Sequence, residues 1–291
     1  MRKEEEEKRR GNKEQETMNK EQGEALCPFN FSRIPLQLHP MATTRAAQSG
    51  WRSFLARYHR HSQGLAVSFI YILPLLVAYE MGMLLLRPPA ASWAGDVIRW
   101  LLHGAFGRWG ALAFNLAVIV AIVASLLATS RRRGVNLDFY PSVMAESLGY
   151  GIVLMLGLPL LMRVLLLMAQ TSCPAAGGVL DNLVLSIGAG VYEEIVFRLG
   201  LMSVIYFLAL TLTRENWFAT VAAIVLSSVL FAAAHYLDGS TLPPGVFLRS
   251  FTYRMISGII FAAIYIYRGL AVVCYTHAFY DVLVVIMSVG K

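Results

Sequence analysis

Seven apolar runs of membrane-spanning length occupy most of the chain from residue 65 onward. A helix of about 20 apolar residues crosses a hydrocarbon core ~30 Å thick, and only helices or closed barrels satisfy their backbone hydrogen bonds in lipid. We therefore predict an all-α fold, a polytopic transmembrane helix bundle of about seven spans (six to eight). The predicted spans lie near 65–86, 109–130, 143–169, 180–212, 217–236, 251–267 and 270–289.

Composition supports a membrane protein and excludes an ordinary soluble enzyme. Hydrophobic residues make up 57% of the chain and charged residues only 15%, whereas a soluble domain is about one quarter charged. The net charge of +7 would suit nucleic-acid binding in a soluble protein, but the arginines stand mainly at the borders of apolar runs, as membrane-flanking residues do. We therefore expect no nucleic-acid partner. Cys27, Cys173 and Cys274 have no zinc-type spacing and form no disulfide framework.

The charge distribution divides the chain into three parts. Residues 1–50 form a charged N-terminal tail that we predict to be disordered, because its first 24 positions are nearly devoid of apolar residues. Met41 offers a second start, so this tail also fits an upstream extension. Residues 51–64 suit a helix lying at the membrane surface, or equally a polar linker. Residues 65–291 form the transmembrane domain.

Arginine bias predicts the orientation of the bundle. An N-terminal group of arginines and the Arg131–Arg133 cluster lie two crossings apart and hence on one side, which the positive-inside rule makes cytoplasmic. Arginines on the opposite side oppose this assignment (Arg87, Arg99 and Arg108). We predict an integral protein of the plasma (inner) membrane with a cytoplasmic N-terminus.

Ionisable residues inside spanning helices are costly and usually functional, and this chain concentrates them in three late helices. In the first, Glu194 and Arg198 stand one turn apart and predict an i,i+4 ion pair. Glu193 points about 100° away and lacks that partner, which suits its carboxylate to exchange protons in a desolvated cavity. Gly188 and Gly190 would let a neighbouring helix or an extended substrate approach closely.

Two histidine motifs follow. Phe231 and His235 are four residues apart, with only alanine between them. His277 and Asp281 form a second i,i+4 pair, in which Asp281 is predicted to accept a hydrogen bond from the imidazole and fix its tautomer. A purely structural reading requires six unrelated coincidences among these ionisable residues. We assign Glu80, Arg163 and Arg254 to structural roles or to snorkelling at the interface.

These three motifs resemble those of the CPBP intramembrane proteases (CAAX protease and bacteriocin-processing), also called the type II CAAX prenyl endopeptidase-like or Abi family. The family pattern is Glu-Glu-x-x-x-Arg, then Phe-x-x-x-His, then His-x-x-x-Asn/Asp, and the resemblance covers residues 180–290. Leu199 separates the motif arginine from Gly200, where the family often has glycine directly. Asp281 replaces the asparagine of the prenyl-protein proteases, which leaves a prenylated substrate open.

The resemblance implies an intramembrane endopeptidase with an active-site cavity within the membrane, which acts on a membrane-associated protein or peptide in the lipid bilayer. Glu193 would be the general base that activates water, and His235 would position that water. His277 with Asp281 would stabilise the oxyanion, while Glu194, Arg198 and Phe231 would support the site. The family has been described both as metalloproteases and as metal-free glutamate proteases. We favour no metal cofactor, and a zinc ion would take Glu193, His235 and His277 as ligands.

Two other functions stay open from the sequence. A non-catalytic scaffold or immunity-type protein would keep the fold and bind a partner. A proton-coupled transporter would use Glu193, His235 and Asp281 as a relay, although no inverted repeat is visible. The depth of the two histidines in the membrane is also open. If 251–267 is a complete crossing, His235 and His277 lie at different depths. A turn at Arg268 and Gly269 inside the protein, or shifted span boundaries, would reconcile them.

Overall fold

The computed structural model describes residues 45–86, 136–166, 178–237 and 243–289, together with short helical pieces between 116 and 127. The predictions for residues 1–44, and for most of the run 109–130, lie outside the described residues. The described part contains helices and no strand, and its residues from position 49 onward belong to one compact unit. Its helices are α1 (Arg45–Ser62), α2 (Leu65–Leu86), α3 (Tyr140–Leu166), α4 (Val179–Glu193), α5 (Ser203–Thr213), α6 (Asn216–Ala234), α7 (Pro244–Arg268) and α8 (Leu270–Val289).

Six helices among the described residues are long and apolar enough to cross a membrane, which confirms the polytopic helical fold. The spans predicted at 65–86 and 270–289 coincide with α2 and α8. Helix α7 begins at Pro244, well before the predicted start at 251, because proline is favoured in the first turn of a helix. The predicted span 180–212 corresponds to one 35-residue helical segment, Val179–Thr213.

Helix α8 lies at the centre of the bundle and packs against α2, α3, α4 and α7. Its first six residues, Leu270 to Tyr275, are at most 1% exposed. Gly190 permits the contact with α4, since a Cβ at this position would lie 2.6 Å from the backbone nitrogen of Ala278. Gly188 likewise faces the ring of Tyr79 on α2. The predicted close approach of neighbouring helices at both glycines is confirmed.

The turn between α7 and α8 lies inside the protein, which answers the question of depth. Gly269 has a φ of +87°, a conformation that favours glycine, and a Cβ there would come within 3.0 Å of the Ser62 carbonyl oxygen. Arg268 is 8% exposed. It forms a two-pronged ion pair with Glu146 of α3, with nitrogen–oxygen distances of 2.5 and 2.7 Å.

Helix α1 packs on this buried turn. Tyr58 donates a hydrogen bond to Glu146, and burial together with that carboxylate holds the pKa of Tyr58 above its ordinary value. Phe54 contacts Phe139 with ring centroids 5.5 Å apart, and the Asn136 amide donates to His61 Nε2 at 3.2 Å. The placement of α1 at the membrane surface stays a prediction.

Candidate active site

Four helical elements enclose a cavity of about 370 Å³ that contains residues of all three motifs. The end of α4 contributes Glu193, the end of α6 contributes Phe231 and His235, and α8 contributes His277 and Asp281. Helix α7 forms the remaining wall. Residues separated by up to 88 positions in sequence therefore line one chamber, as a shared site requires.

The helix changes its hydrogen-bonding pattern immediately after Glu193. Residues Glu194–Met202 form a π-helix, with wider turns than the α-helical geometry assumed for the sequence. Short π-helical stretches occur frequently at functional sites. The predicted pair of Glu194 and Arg198 is nevertheless present, with 3.0 Å between Oε1 and the guanidinium nitrogen.

Glu193 lies between two imidazoles. Its Oε1 is 3.8 Å from His235 Nε2, and its Oε2 is 3.7 Å from His277 Nε2. Both separations exceed a direct hydrogen bond, and each leaves room for an oxygen atom that bonds to both groups. The residue is only 4% exposed, and its buried Oε2 has no hydrogen-bond partner among the described residues. Glu193 nevertheless lines the cavity.

The backbone defines the tautomer of His235. Its Nδ1 lies 2.8 Å from the carbonyl oxygen of Phe231, and because a carbonyl only accepts, Nδ1 must carry the proton. In the neutral ring, Nε2 is then an acceptor and faces Glu193. The i,i+4 spacing of this motif thus has a direct geometric role: it joins the ring to the last turn of α6. The Phe231 ring packs edge-on against the imidazole, with centroids 4.9 Å apart.

Two carboxylates lie beside the ring of His277. Its Nδ1 lies 2.7 Å from Oε1 of Glu194, and Asp281 Oδ2 lies 3.5 Å from Nε2. Glu194, which was not predicted to contact this ring, is the closer acceptor, and the prediction that Asp281 fixes the tautomer of His277 stays a prediction. Asp281 also lies on the cavity wall with a 30% exposed side chain.

Aromatic rings hold the buried charges behind the cavity. Arg198 is 1% exposed and lies 4.3 Å from the ring centroid of Phe231 and 5.4 Å from that of Phe261. Phe261 also stacks on His277 at 4.4 Å. These cation–π contacts compensate part of the desolvation of the guanidinium. Arg198 and Glu194 are thus buried next to residues of the cavity wall without lining the cavity themselves.

Sequence reasoning missed part of the wall formed by α7. Arg254 was assigned to a structural role, but it lines the cavity with Tyr253, Ser257 and Phe261. The signal was the spacing, because positions 254, 257 and 261 recur on one helical face. Glu146 was not singled out at all. No local pattern indicates its pairing with Arg268, because the two are 122 positions apart.

The histidines and acids of this site do not fit a metal centre. Within the described residues, no group of three or more His, Cys, Asp or Glu side chains has an arrangement that could hold a metal ion. The two imidazoles approach opposite oxygens of Glu193, whereas zinc ligands surround one point at about 2.0–2.2 Å. The conditional zinc set of Glu193, His235 and His277 is therefore not supported.

Comparison with known proteins agrees with the motifs. The family model described as type II CAAX prenyl endopeptidase Rce1-like matches residues 175–283. No curated protein and no solved structure gives a significant match. The family match and the six apolar helices make the chain an integral membrane protein. The stretch that this family model matches contains all three motifs, and the match agrees with the family that those motifs resemble.

Proposed function

We propose that this protein is an intramembrane endopeptidase that hydrolyses a peptide bond of a membrane-associated protein or peptide, with Glu193 as the general base. The observation that carries this proposal is the position of the Glu193 carboxylate, with one imidazole beyond each of its two oxygens at 3.8 and 3.7 Å. The family match supports a protease of the CAAX type. Whether the substrate carries a prenyl group is tested below by comparing a peptide that has this group with one that lacks it.

The nucleophile is a water molecule between Glu193 and His235. The water donates one hydrogen bond to the lone pair of His235 Nε2 and the other to Glu193 Oε1. This arrangement directs a lone pair of the water oxygen toward the substrate carbonyl. Glu193 takes a proton from the water as the new carbon–oxygen bond forms. His235 acts by orientation, because its Nδ1 keeps its proton and donates it in a hydrogen bond to the Phe231 carbonyl oxygen.

His277 acts on the tetrahedral intermediate that follows the attack of water. Its Nε2 faces the cavity, and when that nitrogen is protonated it donates to the oxyanion of the tetrahedral intermediate. The carboxylate of Glu194 at Nδ1, and that of Asp281 near Nε2, compensate the positive charge of the ring. When the intermediate collapses, the carbon–nitrogen bond breaks, and the proton held by Glu193 passes to the leaving amine.

The test uses the full-length protein in proteoliposomes with a quenched fluorescent peptide, either unmodified or carrying a farnesyl group. Glu193→Gln keeps the shape but removes the base, so we expect hydrolysis to fall about 10²- to 10⁴-fold. Glu215→Gln is the matched control, because Glu215 is exposed at the start of α6 and does not line the cavity. Thermal unfolding verifies that each variant is folded. Undiminished hydrolysis by folded Glu193→Gln would remove Glu193 from its proposed role.

A further inference from the structure

Arg254 is a cation in the wall of the cavity that the proposed mechanism leaves without a task. It lies on α7 and lines the same chamber as Glu193, His235 and Asp281. Ionisable side chains in spanning helices are costly and face cavities or partners. The charge of Arg254 therefore needs a binding partner within the protein or in the cavity.

The protein partners of Arg254 are neutral. One nitrogen, Nη1, donates to the Tyr236 hydroxyl at 3.3 Å and to the Ser250 hydroxyl. The guanidinium carbon also lies 5.5 Å from the centroid of the Tyr236 ring. In the described part of the chain, no carboxylate lies within 4.0 Å of this arginine, and all its protein hydrogen bonds use Nη1. The Nε and Nη2 donors remain for a ligand, and the planar fork of a guanidinium matches a carboxylate.

The acidic residues of the cavity explain why such a cation is needed. Glu193 and Asp281 both line the chamber, and their charges disfavour entry of an anionic peptide. Arg254 offsets this repulsion at one place in the wall. A substrate with a carboxylate at that place would bind, and one with its carboxylate elsewhere would not.

Arg254 lies beside one of the proposed reacting groups. Its guanidinium donates a hydrogen bond to the hydroxyl of Tyr236, the residue that follows His235, and Arg254, His235 and Glu193 line the same cavity. A peptide bound at Glu193 and His235 would therefore pass this cation. We infer that Arg254 is a specificity-determining residue that binds a carboxylate of the peptide substrate.

This inference rests on the proposed function, so the experiment measures cleavage and binding separately. The probes are quenched fluorescent peptides rich in alanine and leucine, in three forms. The first ends in a free carboxylate and the second ends in an amide. The third form is a set of peptides that end in an amide, each with a single glutamate at a different position. Wild type, Arg254→Gln, Arg254→Lys and the matched control Arg249→Gln are compared in nanodiscs. Arg249 lies on the same helix, is half-buried, donates to the Gly245 carbonyl oxygen and does not line the cavity.

For peptides with a correctly placed carboxylate, Arg254→Gln should raise KM about tenfold or more, corresponding to about 1.4 kcal/mol, and change kcat far less. Arg254→Lys should recover part of the loss, and Arg249→Gln should behave as wild type. Neutral peptides should bind equally poorly to wild type and Arg254→Gln. Sensitivity of the free-acid peptide identifies a chain-terminal carboxylate, and sensitivity of one glutamate peptide identifies an acidic side chain.

An equal effect of Arg254→Gln on neutral and anionic peptides, or no effect on either, would overturn the inference. The binding arm uses fluorescence anisotropy with Glu193→Gln protein, which the proposed mechanism makes inactive. If wild type cleaves none of the peptides, the proposed function fails on these substrates. Carboxylate-dependent binding that is lost in Glu193→Gln/Arg254→Gln would still support the subsite, and binding without such dependence would refute it.

Discussion

Glu194 accepts the hydrogen bond of His277 Nδ1 at 2.7 Å, although the two residues are 83 positions apart and lie on different helices. The same oxygen of Glu194 pairs with Arg198 at 3.0 Å. The second acid of the Glu-Glu motif thus reaches the last motif of the chain directly. Its neighbour Glu193 is left to face the cavity.

This contact predicts that Glu194 matters more to the orientation of His277 than Asp281 does. Glu194→Gln removes the charged acceptor and leaves Arg198 buried without its counter-ion, so we expect a loss of about 3–5 kcal/mol of stability. Hydrolysis by the protein that remains folded should fall about 10²-fold or more, whereas Asp281→Asn should cost less. Thermal unfolding and hydrolysis per folded molecule are the measurements. A larger loss in Asp281→Asn than in Glu194→Gln would contradict the assignment of the orienting carboxylate.

The contact of α4 with α8 predicts a steric effect at Gly190. A methyl group at this position would lie 2.6–2.8 Å from Ala278, so Gly190→Ala must push the two helices apart next to His277. We expect a loss of about 1–3 kcal/mol, together with reduced hydrolysis. Gly149→Ala is the control, because nothing lies within 4 Å of its Cβ position. Equal thermal stability of the two variants would disprove the close approach.

The ion pair of Arg268 with Glu146 predicts a stability effect far from the cavity. Arg268→Met leaves Glu146 without its partner in a mostly buried position, at a cost of about 3–5 kcal/mol. The double variant Arg268→Met/Glu146→Gln should lose less than the sum of the single losses, because neither charge is then stranded. Strictly additive losses in thermal unfolding would show that the pair is not coupled.

His61 predicts a pH dependence in the packing of α1. Burial holds the pKa of its imidazole below the ordinary value, and Nε2 accepts the Asn136 amide hydrogen only when that nitrogen is unprotonated. Because the folded-state pKa is lowered, this contribution is present above the unfolded value near 6.5 and is lost as pH falls below it. Hydrogen exchange of α1 should therefore accelerate on acidification.

His61→Gln provides the control for this pH effect. Glutamine keeps an acceptor oxygen and does not titrate, so the variant should retain protection of α1 and lose most of its dependence on pH between about 5 and 7. Burial and the charge of Arg268 also lower the pKa of His59. The ring of Tyr71 lies next to His61, with ring centroids 6.1 Å apart. A wild-type exchange rate that stays constant across this range would refute the role of His61.

The sequence alone determined the membrane class and most span boundaries, because apolar length is a local property and lipid admits few backbone arrangements. It also picked out the residues of the three motifs, since charges in apolar helices are conspicuous in the sequence itself. The prediction for α7 was shorter than the helix found, because Arg249 and Ser250 interrupt the apolar run directly before the predicted start at 251.

Only the tertiary structure decided how these residues meet. The hydrogen bond from His277 to Glu194, the pair of Arg268 with Glu146, and the place of Arg254 in the cavity wall all join helices distant in sequence. The π-helix after Glu193 likewise departs from the regular turn that periodicity assumes. Sequence spacing gives the face of a helix on which a side chain lies, but its partner depends on how helices pack and at what depth, and small residues such as Gly190 and Gly269 fix that packing.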